Sequence, residues 1–152
     1  GTFSNRLTTD AALSQTSVEQ LLIQIRNAVD NTGKRITLTG EKLVISPSNM
    51  FQAEVILKSV LRTGTANNDI NSLRSMGMLS GGAQIISRMT STTAWGITTS
   101  ANQDNGLKLI MRRKLDRSME GDFETDSMRY KATERYAVGW TDPRGFFATP
   151  GL

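Results

Sequence analysis

The sequence contains neither cysteine nor histidine among its 152 residues. Without cysteine, disulfide bonds, zinc ribbons and thiol catalysis are excluded. Without histidine, Ser-His-Asp and Cys-His catalysis and histidine-ligated metals are excluded as well. We therefore predict a protein that is not an enzyme and has no catalytic residue and no cofactor. The alternative, an Asp/Glu-based hydrolase, would be marked by a carboxyl group with a raised pKa in a cleft.

Long apolar runs are also absent. No run approaches the roughly eighteen residues of a membrane-spanning helix, and no secretory signal is visible at the start, so we expect no membrane partner. A hydrophobic content of 38% and a charged content of 21% are typical of a folded domain. The net charge of +4 permits weak attraction to nucleic acid but does not require it.

The first half of the chain predicts a mixed α+β arrangement. Thr16 and Glu19 have the spacing of a capping box, and apolar residues at helical spacing behind them predict a helix over about 17–30. The apolar run 42–46 predicts a buried strand, which Pro47 ends. A second apolar stripe predicts a helix within 47–64 that ends at a glycine.

The second half predicts strands. Residues 83–89 and 92–100 are rich in strand-forming residues, and 101–106 is predicted as a turn. After it, 107–115 and 128–140 show the alternation of long extended segments. A thirteen-residue strand is far longer than the usual five or six residues. Such a strand favours an elongated, sheet-like subunit that lies against neighbours.

Basic and acidic residues follow one another in this half. The basic residues are Lys108, Arg112, Arg113, Lys114 and Arg117, and the acidic ones are Glu120, Asp122, Glu124 and Asp126. The basic cluster could bind phosphate groups. If the two segments pair around Gly121, however, basic residues face acidic ones, and ion pairing within the hairpin or between subunits explains both clusters.

The three aspartate and glutamate residues of 122–126 share one face of an extended chain and could hold a divalent cation. Their spacing matches no calcium loop, so we predict a solvated strand edge and no metal site.

An architectural turn is predicted where the last long strand ends. It consists of Asp142, Pro143, Arg144 and Gly145, and it lies between Trp140 and the pair 146–147 of phenylalanines. Proline presets the turn, glycine takes a conformation that other residues resist, and aspartate can bond the backbone ahead of it. These residues are expected to shape a surface and present aromatic bulk.

The run Gly106–Gly145 closely resembles the C-terminal segment of tailed-phage major capsid proteins, particularly the Mu-like major head subunits. The elements that carry the resemblance are a turn of Gly121, Asp122, Phe123 and Thr125, the strand 131–136, and the closing Gly139, Trp140 and Asp142–Gly145. Looser similarity extends upstream through 92–100 and 42–50.

The resemblance implies the Hong Kong-97-type capsid fold, with an axial domain and long strands of a peripheral domain. The implied divisions are a lead-in segment 1–14, the axial domain 15–105, the peripheral strands 106–140 and a C-terminal return segment 141–152. The N-terminal arm and the spine helix of that fold should precede Gly1 and are absent from this chain.

The resemblance also implies a structural subunit of the virion. Copies would self-assemble as hexamers and pentamers into an icosahedral head in the host cytoplasm, in contact with packaged DNA, portal and decoration proteins. One alternative is an encapsulin-like cellular shell, which would need a cargo-binding groove. The other is a small basic nucleic-acid-binding module, which predicts a steep loss of affinity with salt.

Overall fold

The computed structural model of the chain describes residues 4–62 and 64–152. The start of the predicted lead-in segment and Thr63 of the predicted second helix lie outside the described residues. The helices are α1 Gln15–Arg26, α2 Met50–Lys58, α3 Ser72–Ser75 and α4 Ala101–Asn105. The strands are β1 Gly40–Ile45, β2 Ala83–Ile85, β3 Trp95–Thr99, β4 Leu107–Asp122, β5 Ser127–Trp140 and β6 Phe146–Thr149.

The chain divides into two units. The first contains the described residues up to Gly106 together with Asp142–Leu152, and the second is Leu107–Thr141. The second unit is thus an insertion, because the chain leaves the first unit after α4 and returns to it before β6.

A four-stranded sheet organises the first unit, in the order β2-β1-β3-β6. β1 runs parallel to β2 and antiparallel to β3, and β3 runs antiparallel to β6. The predicted buried strand is confirmed, since Leu43, Val44 and Ile45 are all buried. β2 and β3 are shorter than the predicted strands, which extended into the loops at either side. Helices and sheet together confirm the α+β prediction.

Helix α1 begins earlier than predicted. Its N-cap is Ser14, whose hydroxyl accepts from the backbone N–H of Ser17 at 3.2 Å while Ser17 Oγ accepts from the N–H of Ser14 at 2.9 Å. The predicted Thr16–Glu19 capping box is therefore wrong, because serine hydroxyls fill both positions. Glu19 accepts instead from Gln15 Nε2 and from the Ser72 hydroxyl.

Helix α1 also ends earlier, at Arg26 rather than near residue 30. Val29 forms an isolated bridge with Arg35, which needs extended backbone. The apolar stripe of helix α1, which consists of Val18, Leu21, Leu22 and Ile25, is buried. The stripe joins residues of β1, α2, β3 and β6 in the core, where Trp95 and Phe147 are the largest buried side chains.

Helix α2 stops at Lys58, six residues before the predicted end at Gly64. Asn71 Nδ2 donates to the carbonyl oxygens of Ile56 at 2.7 Å and Ser59 at 3.1 Å. These two carbonyls at the end of α2 therefore accept hydrogen bonds from a side chain. Ser59 then turns to extended backbone, and Leu61 pairs with Ile70. The predicted turn at 101–106 is also wrong, because Ala101–Asn105 forms the short helix α4.

Candidate assembly surface

The second unit is a two-stranded antiparallel ribbon. β4 has 16 residues and β5 has 14, and they pair from Leu107↔Trp140 to Asp122↔Ser127. The prediction of two very long strands is confirmed. Strands of this length are about three times the usual one.

The pairing register determines which side chains share a face of the ribbon. Paired residues point to the same face, and successive residues point to opposite faces. The register shifts between Met111 and Arg113 and again between Arg113 and Asp116, so β4 bulges while β5 alternates without interruption. One face therefore carries Leu107, Leu109, Met111, Arg117, Met119, Gly121, Met128, Tyr130, Ala132, Glu134, Tyr136, Val138 and Trp140. We call it the apolar face.

The apolar face is open to solvent. Tyr130 and Val138 are each 74% exposed and Trp140 is 66% exposed. Large contiguous apolar patches on a soluble protein mark protein or membrane contacts. A two-stranded hairpin is at best marginally stable alone in water. The ribbon thus has the character of an interface, with side chains arranged to be covered by something else.

The opposite, polar face carries Lys108, Arg113, Glu120 and Asp122 of the two charged clusters, whereas Arg117 lies on the apolar face. The pairing register also corrects the sequence prediction. Gly121 pairs with Met128 inside the ribbon, and the turn is Phe123–Asp126. The predicted pairing around Gly121 is therefore wrong. It assumed a turn at glycine, but an Asp122 oxygen accepts from the N–H of Glu124 at 3.2 Å and Asp126 adopts a positive φ of 50°. Aspartates thus form the turn.

The basic cluster consequently does not face the acidic one across the ribbon. Arg113 lies opposite Arg135, Arg117 opposite Ala132, and Lys108 opposite Gly139. The acidic residues Glu120, Asp122, Glu124 and Asp126 lie at or near the tip. There Asp122 accepts from Arg129 at 3.0 Å in the ribbon's salt bridge. Ion pairing of the two clusters between subunits stays a prediction.

The turn Asp142–Gly145 forms where the ribbon ends. An Asp142 oxygen accepts from the N–H of Arg144 at 2.9 Å, and Pro143–Gly145 is a 3₁₀ turn. Arg144 Nη2 donates to Asn31 Oδ1 at 2.9 Å. Gly145 is needed for close packing and not for a special conformation, because a Cβ there would lie 2.9 Å from the Cα of Gly106.

The aromatic residues around this turn serve different purposes. Trp140 belongs to the apolar face of the ribbon, whereas Phe147 is buried in the core of the first unit and Phe146 is half-buried. The expectation that all of them present a surface is wrong for Phe147. Residue alternation along β6 explains the difference, since only one of two successive residues faces the core.

No feature of the described residues resembles a catalytic centre. An apolar cleft of about 340 Å³ between α1 and α3 contains one carboxylate, Glu19, which is engaged by Gln15 and Ser72. Among the carboxyl groups that the structure describes, Asp10 and Asp30 have clearly shifted pKa values, and both pKa values are lowered by hydrogen bonds. Among the side chains that the structure describes, no group of three or more acidic residues could hold a metal ion.

Two features of this surface could not be predicted from the sequence. One is the full exposure of Phe123 at the ribbon tip, a residue that the resemblance had already placed in a turn. The apolar face was only partly visible, because the two bulges interrupt the alternation of β4. As to membranes, no helix in the described part of the chain is long and apolar enough to cross one.

Comparisons with known proteins agree with this picture. A family model described as "Phage capsid protein" matches residues 1–149. Among solved structures, the virus-like particle from Pyrococcus furiosus is similar, with a TM-score of 0.53 and 12% identity. That similarity covers 96% of this chain but 56% of the other, and at this identity it shows a shared fold alone. No curated protein matches the sequence. Because the family match spans almost all of its residues, the chain belongs to the phage capsid protein family.

Proposed function

We propose that the chain is the C-terminal portion of a tailed-phage major capsid subunit of the Mu-like group, with the Hong Kong-97-type fold. Copies self-assemble into the icosahedral head that encloses phage DNA. The observation that carries the proposal is the exposed apolar face of the ribbon in a member of the phage capsid protein family. An exposed apolar face of this size is suited to being covered by neighbouring copies of the subunit.

The two units correspond, in this proposal, to the two domains of that fold. The sheet and helices of the first unit form the axial domain, and the ribbon supplies the long strands of the peripheral domain. The proposed return segment 141–152 is supported by β6, which brings the chain back into the sheet beside β3. The arm and the spine helix would be supplied by sequence outside this chain.

Assembly is driven mainly by burial of the apolar face against neighbouring copies, as hexamers and pentamers. Removal of apolar area from water is worth about 25 cal/mol per Å², and it has no directional preference. Charged groups of the polar face would therefore set the register between copies. Contact with packaged DNA would be non-specific and would depend on net positive charge. Portal and decoration proteins would bind the finished shell.

An encapsulin-like cellular shell is the second candidate. The fold shared with a virus-like particle from Pyrococcus furiosus is the observation that favours it. The two candidates share the same architecture and differ in what the particle encloses, DNA in one case and protein cargo in the other.

The test is to express the complete subunit that contains this chain and to examine it by negative-stain microscopy and intact mass. We expect closed shells built of a subunit heavier than 16.7 kDa, the mass of this chain. Nuclease-protected DNA inside native particles would support the phage head, and enclosed protein without DNA would support the cellular shell. A monomer that forms no particles and binds DNA in a salt-dependent manner would contradict both.

A further inference from the structure

We propose that the acidic ribbon tip of one copy docks into a basic depression at the bulges of a second copy. The tip is Glu120–Asp126 with Phe123 at its end, and the basic depression is lined by Arg112, Arg113, Thr133, Glu134 and Arg135. The inference rests on the proposed function, since it assumes that copies of this subunit assemble.

The basic depression is an unfavourable arrangement for an isolated ribbon. Arg113 and Arg135 are directly paired across the strands, and like charges in that position destabilise a sheet. Arg112 lies beside them at the first bulge. Among the described residues, no salt bridge joins these arginines to a carboxylate. The depression has a volume of about 550 Å³ and is lined by three arginines and one carboxylate, Glu134, so it keeps an excess of positive charge.

The acidic tip offers the matching chemistry. Glu120, Glu124 and Asp126 are exposed, and Phe123, which lies between them, is fully exposed. Arginine forms its strongest contacts with carboxylates and also stacks on aromatic rings, so one loop that carries both groups fits a cluster of arginines. Docking would bury a fully exposed phenylalanine and neutralise two like charges at the same time.

A copy cannot satisfy its own depression. From Arg113 to Asp122 the strand rises by roughly 30 Å, at about 3.3 Å per residue. Charges separated by more than about 8–10 Å in water are largely screened from one another at physiological ionic strength. The tip that fills a given depression must therefore come from another molecule.

The proposed contact joins the tip of one copy to the depression of another, so the two partners use different surfaces. A tip-to-depression contact leaves the second copy's tip free for a third copy, so the contact propagates and closes into a ring where the rotation permits. Arg113, Thr133 and Arg135 of the depression belong to the polar face, so most of the apolar face stays available for separate contacts. The charged groups would thus specify which register the apolar burial adopts.

The absence of cysteine makes a direct crosslinking test possible. One copy of the complete subunit carries Glu124→Cys and a size tag, and the other carries Arg113→Cys. Each copy then carries a single cysteine, so every disulfide joins two molecules, and the bond requires Cα atoms within about 7 Å. The matched control replaces Arg113→Cys by Arg88→Cys, at an exposed arginine of the first unit. Crosslinks are scored on non-reducing gels after mild oxidation, and particles are scored separately by microscopy.

We expect a tagged–untagged heterodimer for the 124–113 pair and not for the 124–88 pair. Particles without that heterodimer would overturn the docking inference and leave the proposed function intact. The heterodimer without particles would support the docking contact and contradict the proposed shell. If neither forms, both are wrong.

A charge-reversal series gives a second, independent test. Glu120→Lys with Glu124→Lys changes the tip, whereas Asp122 and Asp126 are left unchanged because they form the turn. Arg113→Glu with Arg135→Glu changes the depression. We expect each pair to abolish assembly and the four changes together to restore it. Asp69→Lys and Arg88→Glu, at exposed sites outside the ribbon, serve as controls.

The competing partner of the depression is packaged nucleic acid. If the tip variant assembles normally while the depression variant forms shells that lose their DNA, the depression binds phosphate groups and the docking inference is wrong. Rescue by the combined variant would exclude that explanation, because a reversed tip cannot restore binding to DNA.

Discussion

Gly145 packs so closely on Gly106 that a Cβ atom at position 145 would lie 2.9 Å from the Cα of Gly106 and 3.3 Å from the Cα of Asn102. The contact joins the return turn to the end of α4, where the chain leaves the first unit. Backbone atoms on both sides leave no flexible group to move aside. This position therefore tolerates no side chain without a shift of the main chain.

We predict that Gly145→Ala lowers the free energy of unfolding by about 1–3 kcal/mol, the usual cost of overpacking. Urea denaturation followed by circular dichroism would measure it. Gly139→Ala is the matched control, because nothing lies within 4 Å of a Cβ there. Equal stability of the two variants would contradict the packing argument.

Asn71 is fully buried and holds α2 and α3 together. Its Nδ2 donates to Ile56 O and Ser59 O, and its Oδ1 accepts from the N–H of Leu73 at 3.1 Å. We predict that Asn71→Ala costs roughly 2–3 kcal/mol, because buried carbonyls lose their donor and α3 loses its cap. Thermal unfolding would measure the loss. Asn67→Ala, at an exposed loop position, should change stability little.

We expect Asp30 to give the first unit part of its sensitivity to acid. The Thr32 hydroxyl and the backbone N–H groups of Lys34 and Thr32 donate to Asp30 Oδ1, and these bonds hold the carboxyl pKa below its ordinary 3.8. A lowered folded-state pKa stabilises the fold above pH 3.8, and that contribution disappears as the pH falls through the lowered value.

We accordingly predict that Asp30→Asn is less stable than the wild type at pH 7, and that the difference shrinks as the pH falls below about 3.8. Urea midpoints across pH 2.5–7, an interval of about four units around the ordinary carboxyl pKa, would show it. A difference that stays constant with pH would contradict the prediction. Thr32→Val should raise the Asp30 pKa towards its ordinary value, as measured by NMR titration.

The apolar face predicts a side-specific effect on assembly. Val138→Lys places a charge on the apolar face, whereas Ala137→Lys places the same charge on the polar face one residue away. We expect Val138→Lys to abolish particles and Ala137→Lys to leave them, because a lysine buried in an interface is strongly destabilising. Both variants should unfold like the wild type as unassembled chains, since both residues are exposed there. Particle yield by sedimentation and microscopy measures the difference.

Much of the fold could be predicted because it depends on local patterns. The apolar stripe from Val18 to Ile25, the run ended by Pro47 and the alternation along β5 each indicate one element without reference to the rest of the chain. The Asp142 turn is equally local, since its hydrogen bond spans two residues. These features needed no knowledge of long-range contacts.

The errors arose where distant residues decide the outcome. The side chain of Asn71, thirteen residues beyond the last residue of α2, ends that helix. The apolar periodicity within α2 gives no indication of this end. The charge pattern was interpreted with pairing centred on Gly121, whereas the observed turn is Phe123–Asp126 and is shaped by Asp122 and Asp126. That shift moved every cross-strand partner, which is why the basic and acidic clusters do not face each other across the ribbon.

The ribbon's two ends enter and leave the sheet at neighbouring strands, because β3 and β6 pair directly although the whole of Leu107–Thr141 lies between them. For the first unit, the ribbon therefore amounts to one long loop of a hairpin. Loop length affects stability only weakly, by about 0.6 kcal/mol for each doubling. Related chains could therefore lengthen, shorten or exchange the ribbon while the sheet of the first unit stays intact. The contacts between subunits would then change faster in evolution than the fold of the first unit.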